Sequence, residues 1–354
     1  MQVPLKFSIY FFAAALILVN TAGCSKKKAP VPVIADTSLV VPVYDFTNQV
    51  ALFPTTGIAM DAPGNVYVAD PNDELIKMIT PAGVAKIIAG GNGKGASNGA
   101  GTDASFNYPC ALAVDAAGNV YVADAANNLI RKIDPLGRVT TLAGSGAVGS
   151  ADGAGTAASF SFPQGIAVDN TGTVYIADTG NDLIRKITPG GNVSTIAGKV
   201  AAGSANGTGT LATFDIPQGI AVGSDGTVYV ADSGNNLIRQ ITPSGVVSTV
   251  AGNGYGNSAD GNGVQANFNF PDAMAIDAGN NLYITDARGG VVRKLIPVNA
   301  VITLTVSNYN VFGSHTGGII TGAILPNGIA CDKDATNIYV VDYAHNRVIK
   351  AINR

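Results

Sequence analysis

Apolar residues along this chain fall in short runs that alternate with polar or small residues, and the same four runs return throughout its length. Between Pro163 and Ile216, Ile166 and Val168 alternate with small residues, and Val174 and Ile176 alternate with Tyr175 and Ala177; Leu183 to Ile187 and Val193 to Ile196 form two further runs. Runs of this length, rich in Val, Ile and Tyr, predict four strands. The separators Asn170-Thr171-Gly172, Thr179-Gly180-Asn181 and Pro189-Gly190-Gly191 supply residues that preset a bend or tolerate positive φ. No stretch sustains a 3.6-residue period, so helices longer than a turn or two are not expected.

The unit is repeated six times. Pro54, Pro109, Pro163, Pro217, Pro271 and Pro326 each open a copy, at intervals of 54 or 55 residues. Four antiparallel strands per repeat of this length describe a propeller blade, so the chain is expected to be all-β, a six-bladed β-propeller. The sixth copy stops one strand short at Arg354. The apolar segment Val40 to Phe46 is predicted to supply that strand, joining the last blade and leaving the ring without an open seam.

The runs PQGIAVDNTGTVYIADTGNDLI and PQGIAVGSDGTVYVADSGNNLI resemble the NHL-repeat family of β-propellers, and the resemblance covers residues 43–354. It implies the fold and leaves activity open, because the family includes binding platforms and enzymes alike. Similar propellers include amidating lyases that hold zinc with several histidines and calcium-dependent lactonases that use a channel ring of Glu, Asn and Asp. The segments ADGAGTAASFSFP at 151–163 and ADGNGVQANFNFP at 259–271 resemble a bacterial branch with long glycine-rich links between blades.

The first residues give a cellular address. Lys6, the apolar stretch Phe7 to Val19 and Thr21-Ala22-Gly23-Cys24 form a lipoprotein signal peptide over residues 1–23. The apolar stretch is too short for a confident membrane span. Cys24 is then the lipidation site, and residues 24–42 form a flexible tether with Lys26, Lys27 and Lys28 beside anionic head groups. The expected location is the bacterial cell envelope, lipid-anchored, facing the periplasm or the cell exterior.

Charge narrows the partners. Of 21 Lys and Arg four precede residue 43, and of 24 Asp and Glu one does; the propeller is therefore left with 17 basic and 23 acidic residues, a net charge near −6. Nucleic acid, which requires a basic footprint, is not expected. With Cys24 lipidated, Cys110 and Cys331 remain; they lie on separate blades and are not expected to pair. The propeller is expected to be a monomer without a cofactor, calcium or another divalent ion being the alternative.

Several repeated residues look chemical and are better explained as scaffold. Asp70, Asp124, Asp178, Asp232, Asp286 and Asp342 each end a second strand, where a carboxylate accepts backbone N–H bonds and locks the loop. Asp61, Asp115, Asp169, Asp277 and Asp332 do the same for the first turn, and Gly223 replaces them once. The Asp-Gly-x-Gly segments at Asp152 and Asp260, with Asn98 and Asn206 in the other copies, lack the alternating acidic positions of a calcium loop. Phe106, Phe160, Phe214 and Phe268 are expected to pin the links, and Arg131, Arg185, Arg239 and Arg293 to lie on a solvated outer strand.

Function is expected where the repetition fails. The residues after the blade-opening prolines are Thr55, Cys110, Gln164, Gln218, Asp272 and Asn327, which start the innermost strands and should ring one mouth of the channel. On that face blades one, five and six, neighbours in a closed ring, carry Asp73 and Glu74, Arg288, and Tyr343 and His345. The expected ligand site is Glu74, Asp272, Arg288, Asn327, Tyr343 and His345, with no catalytic residue assigned. The expected function is a ligand-binding or protein-interaction module, its partner a glycan, a peptide or an envelope protein. The alternative is a metal-dependent hydrolase, lactonase or lyase in the same sector, drawing on His315, His345 and an Asp for zinc or on Glu74, Asp272 and Asn327 as a lactonase. Apart from that sector, Cys110 could serve as a nucleophile near the channel only with a base close by.

Overall fold

The computed structural model describes residues 41–45, 57–297, 300–304, 309–310, 319–320, 324–345 and 347–352. The predicted signal peptide, Cys24, most of the tether, Thr55 and His315 lie outside the described residues, as does the side chain of His345. The chain forms a six-bladed all-β propeller of antiparallel sheets. In the third blade Gly165–Val168, Val174–Asp178, Leu183–Ile187 and Asn192–Gly198 run from axis to rim. Ile166 pairs with Ile176, Ile176 with Arg185, and Arg185 with Thr195.

Closure follows the count of runs. The sixth blade holds Pro326–Cys331, Asn337–Asp342 and Arg347–Ile352, and its outer strand is Val41–Asp45. That strand pairs antiparallel, Val41 with Lys350 and Asp45 with Arg347, so the two ends of the propeller share one sheet.

Blades two to five have a fifth strand that the apolar pattern does not predict. Gly99–Ala100, Gly153–Ala154, Gly207–Thr208 and Gly261–Asn262 lie in the links and pair with the outer strand of the blade that follows. Two small residues leave no hydrophobic periodicity, yet they cover an outer edge that would otherwise offer unpaired backbone groups. The links run from the outer strand of one blade down the edge of the next and back to the channel mouth. The core lies between blades: Tyr121 and Ala113 of the second blade pack with Phe160, Ile166, Ile176 and Ile187 of the third. This face-to-face sheet packing fixes where each innermost strand begins.

Candidate binding site at the channel mouth

The face of the propeller that carries the links is built on a buried ion pair in each middle blade. Arg185 is 0% exposed, and its Nη1 donates to Asp178 Oδ2 at 2.8 Å and to the Ser159 carbonyl at 3.1 Å. Its Nη2 donates to the Ala151 carbonyl at 2.9 Å and to Asp152 Oδ1 at 2.8 Å, while the guanidinium lies 5.2 Å over the Phe160 ring. Arg131, Arg239 and Arg293 repeat the arrangement on Asp124, Asp232 and Asp286. The expectation of solvated arginines is corrected: each arginine faces inward and ties the returning link to the blade. Asp152 and Asp260 belong to the same clasp, because their Oδ1 atoms accept from Arg185 and Thr195, and from Arg293 and Thr303.

The expected scaffold role of the second-strand aspartates fits this geometry. Asp178 Oδ1 accepts the Ser161 N–H and Oδ2 accepts from Asn181 and Arg185. Burial pushes its carboxyl up, against the pull of those donors, and the carboxyl of Asp232 is pushed up to about 6 in the same way. Blade one replaces the arginine with Lys77, whose Nζ sits 2.7 Å from Asp70 Oδ2.

Inside these clasps the six innermost strands line an axial cavity of about 60 Å³. By the space a single water requires, it accommodates roughly four to six waters. Its wall includes Cys110, Gln164, Asp272 and Asn327, four of the residues expected at the mouth from their place after the prolines. The glycine of the Pro-Gln-Gly run is what lets the strands converge: a side chain at Gly165 would collide with the Gln218 carbonyl, and one at Gly219 with the Asp272 carbonyl. Gln218 Nε2 donates to Gln164 Oε1 at 3.0 Å, whereas Gln218 Oε1 is buried without a described partner.

Two ionisable groups in this wall differ in kind. Cys110 is buried with its Sγ directed at the Pro163 carbonyl at 3.5 Å; burial, then the charges of Asp124 and Asp272, push the thiol up. A thiol held protonated in this way is not a nucleophile, which corrects that sequence reading. Asp272 is partly exposed by area, but the solvent that reaches it is confined by the channel wall. Burial pushes its carboxyl up to about 7, and no described residue donates a hydrogen bond to it.

Above the cavity stands a rim that the sequence reading missed. The residue before the blade-opening proline is Tyr108, Phe162, Ile216 and Phe270 in blades two to five, with φ of 59°, 47°, 51° and 60°. Positive φ costs a bulky or β-branched residue on the order of 1 kcal/mol or more. Three of them are held there by the preceding blade: the N–H groups of Phe162, Ile216 and Phe270 donate to Asn128, Asp182 and Asn236. Phe162 at 38% and Ile216 at 40% are exposed, as is Leu325, the same position in blade six, at 44%, while Tyr108 and Phe270 are half-buried. Tyr108 and Phe162 stack at 5.6 Å between centroids, and the exposed Arg288 lies 4.3 Å over the Phe270 ring.

Of the six residues expected to bind a ligand, Asp272 and Asn327 come together in the cavity wall. Arg288 lies on the rim, and Tyr343 is half-buried, with its N–H on the Leu325 carbonyl. Glu74 is buried in the blade-one loop with φ of 53°, Oε1 3.3 Å from Lys94 Nζ, and it is not part of the cavity wall. His345 ends the three-residue turn Tyr343–His345. Among the described residues no three His, Cys, Asp or Glu side chains gather as metal ligands.

Comparison with known proteins agrees with this architecture. The NHL repeat family model matches residues 160–187 and 214–241, in blades three and four. NHL repeat-containing protein 2 of Gallus gallus is 27% identical over 364 aligned residues, covering 90% of this chain and 49% of that protein. The chain spans about half or less of the length of the curated relatives it matches. Among solved structures, a streptogramin B lyase superposes with a TM-score of 0.56 at 14% identity, covering 89% of this chain and 98% of that one. An auxiliary nutrient binding protein from Bacteroides thetaiotaomicron superposes with a TM-score of 0.60 at 12% identity, over 85% of this chain and 69% of that one. At these identities the superpositions speak for the fold alone.

Proposed function

We propose that this chain, an NHL-repeat β-propeller, is a binding module that takes up an organic ligand or a segment of a partner at the mouth of its channel. The observation that carries the reading is the rim: four successive blades hold a bulky residue at positive φ, with Phe162 and Ile216 exposed and Tyr108 and Phe270 half-buried. Strained residues around a concave polar floor are a recurrent form of binding site. Anchoring through Cys24 would place the mouth at the cell envelope, where glycans, peptides and envelope proteins are the available partners. Fold likeness does not choose among activities, since a lyase and a nutrient-binding protein share the architecture. A second reading, a hydrolase or lyase, draws on one observation, the Asp272 carboxyl near neutrality, which suits a general base.

The test is retention of glycans and peptides on an array by residues 25–354, compared with the double variant Phe162→Gly, Ile216→Gly. Glycine relieves the positive φ while removing the side chains, so the unfolding midpoint is expected to stay within about 3 °C or to rise. Probes that the wild type retains are expected to be lost by the variant. Equal retention by both proteins would remove the rim from the account.

A further inference from the structure

The polar floor of the mouth has a definite sign. Among the described residues Asp272 is the only carboxylate of the cavity wall and the wall holds no basic residue, while on the rim above it Arg288 is stacked on Phe270. On the adjacent blade Gln218, 8% exposed, has its Nε2 committed to Gln164 and its Oε1 without a described partner. Two acceptors at equivalent positions of neighbouring blades therefore lack donors. A buried amide oxygen and a carboxylate confined in the channel, both without a described donor, select for a ligand that brings donors, and an uncompensated carboxylate selects for one that also brings positive charge.

The rim agrees with the floor. Tyr108, Phe162 and Phe270 set aromatic rings around the mouth, and the face of such a ring attracts a cation. The protein itself displays the contact, with the Arg288 guanidinium 4.3 Å over Phe270. An anion would meet the Asp272 charge, and a neutral sugar would donate hydroxyls to both acceptors but leave the negative charge without a counter-charge. The cavity of about 60 Å³ suits a charged head on a thin stem, and the excess of acidic residues over the whole chain favours the approach of a cation.

We propose that the channel mouth binds an organic cation, an alkylammonium or alkylguanidinium group, with its head on Asp272 and its carbon stem against the rim of Tyr108, Phe162 and Phe270. The group comes from a small amine or from a Lys or Arg side chain of a polypeptide. This rests on the binding reading above and supplies its chemistry.

Isothermal titration of residues 25–354 with butylguanidinium, with its neutral shape analogue N-butylurea and with the peptide acetyl-Gly-Arg-Gly-amide provides the test. One charge-assisted hydrogen bond and one cation–π contact together predict a preference for butylguanidinium over N-butylurea of about tenfold or more. Asp272→Asn is expected to cut that preference to the few-fold that the cation–π contact supplies, and Phe162→Gly to weaken both small ligands while Asp272 still discriminates. Tighter binding of the peptide than of butylguanidinium identifies a polypeptide source, and weaker binding a small amine. Equal affinities for the two small ligands, no binding of either, or an unchanged preference in Asp272→Asn would overturn the assignment. Glycan retention that persists in Asp272→Asn would overturn it too while leaving the binding module standing.

Discussion

Replacing Arg185 by Ala is expected to destabilise the propeller by about 3–5 kcal/mol, the usual cost of removing one partner of a buried ion pair. The reason is what stays behind. Asp178 is fully buried and would keep only the Ser161 N–H and the Asn181 amide, while the Ser159 carbonyl would lose the Arg185 donor and the Ala151 carbonyl would keep only the Ser159 N–H. Phe160, which anchors the link between blades two and three, would lose the cation over its ring. Arg185→Lys keeps the charge without the planar fork and is expected to fall between wild type and Arg185→Ala; blade one makes the same exchange, with Lys77 on Asp70. Equilibrium unfolding in urea checks this. A loss below about 1 kcal/mol for Arg185→Ala would show that the clasp contributes no more than a surface pair.

Asp272→Asn is expected to do the opposite. The folded carboxyl is pushed up to about 7, against about 3.9 in an unfolded chain. Between those values the folded state binds a proton that the unfolded state has released, so this group lowers stability as pH rises from about 4 to about 7 and no further above that. The full shift corresponds to about 4 kcal/mol, and water in the channel mouth brings the expected effect to on the order of 2 kcal/mol. The Asn variant and the wild type should therefore unfold alike near pH 4, with the variant gaining through neutrality and holding its lead at pH 8. Paired urea titrations at the two pH values provide the check, and a gap that does not widen with pH would contradict the environment assigned to Asp272. A carboxylate retained against such a cost is what a ligand site predicts.

The legible parts of the fold are those that hydrophobic periodicity encodes. The strands of each blade and the closing strand Val41–Asp45 are marked by apolar runs and by the missing fourth run of the last copy. The strand Gly153–Ala154 has no apolar signal and emerges only because the link pairs with the outer strand of the third blade. Arg185 was misjudged because recurrence suggested a solvated face, whereas seven residues separate it from Asp178 across a hairpin that sets both side chains in one buried layer. Subtracting the repeat found Asp272 and Asn327, since an innermost strand must start at the axis. It did not find the rim. Tyr108, Phe162, Ile216, Phe270 and Leu325 differ in type, and what they share is a backbone conformation or an exposure; an apolar residue ahead of each blade-opening proline was the available signal.

The most direct test of the mouth as a binding site for a charged ligand is the titration of the Asp272 side-chain carboxyl by carbon NMR, alone and with butylguanidinium. In the free chain a midpoint of about 7 is expected, falling when the cation is added because a neighbouring positive charge favours the ionised form. A midpoint near 4 in the free chain, unmoved by the cation, would mean that the protein already satisfies this carboxylate and that the mouth has no acidic floor to offer.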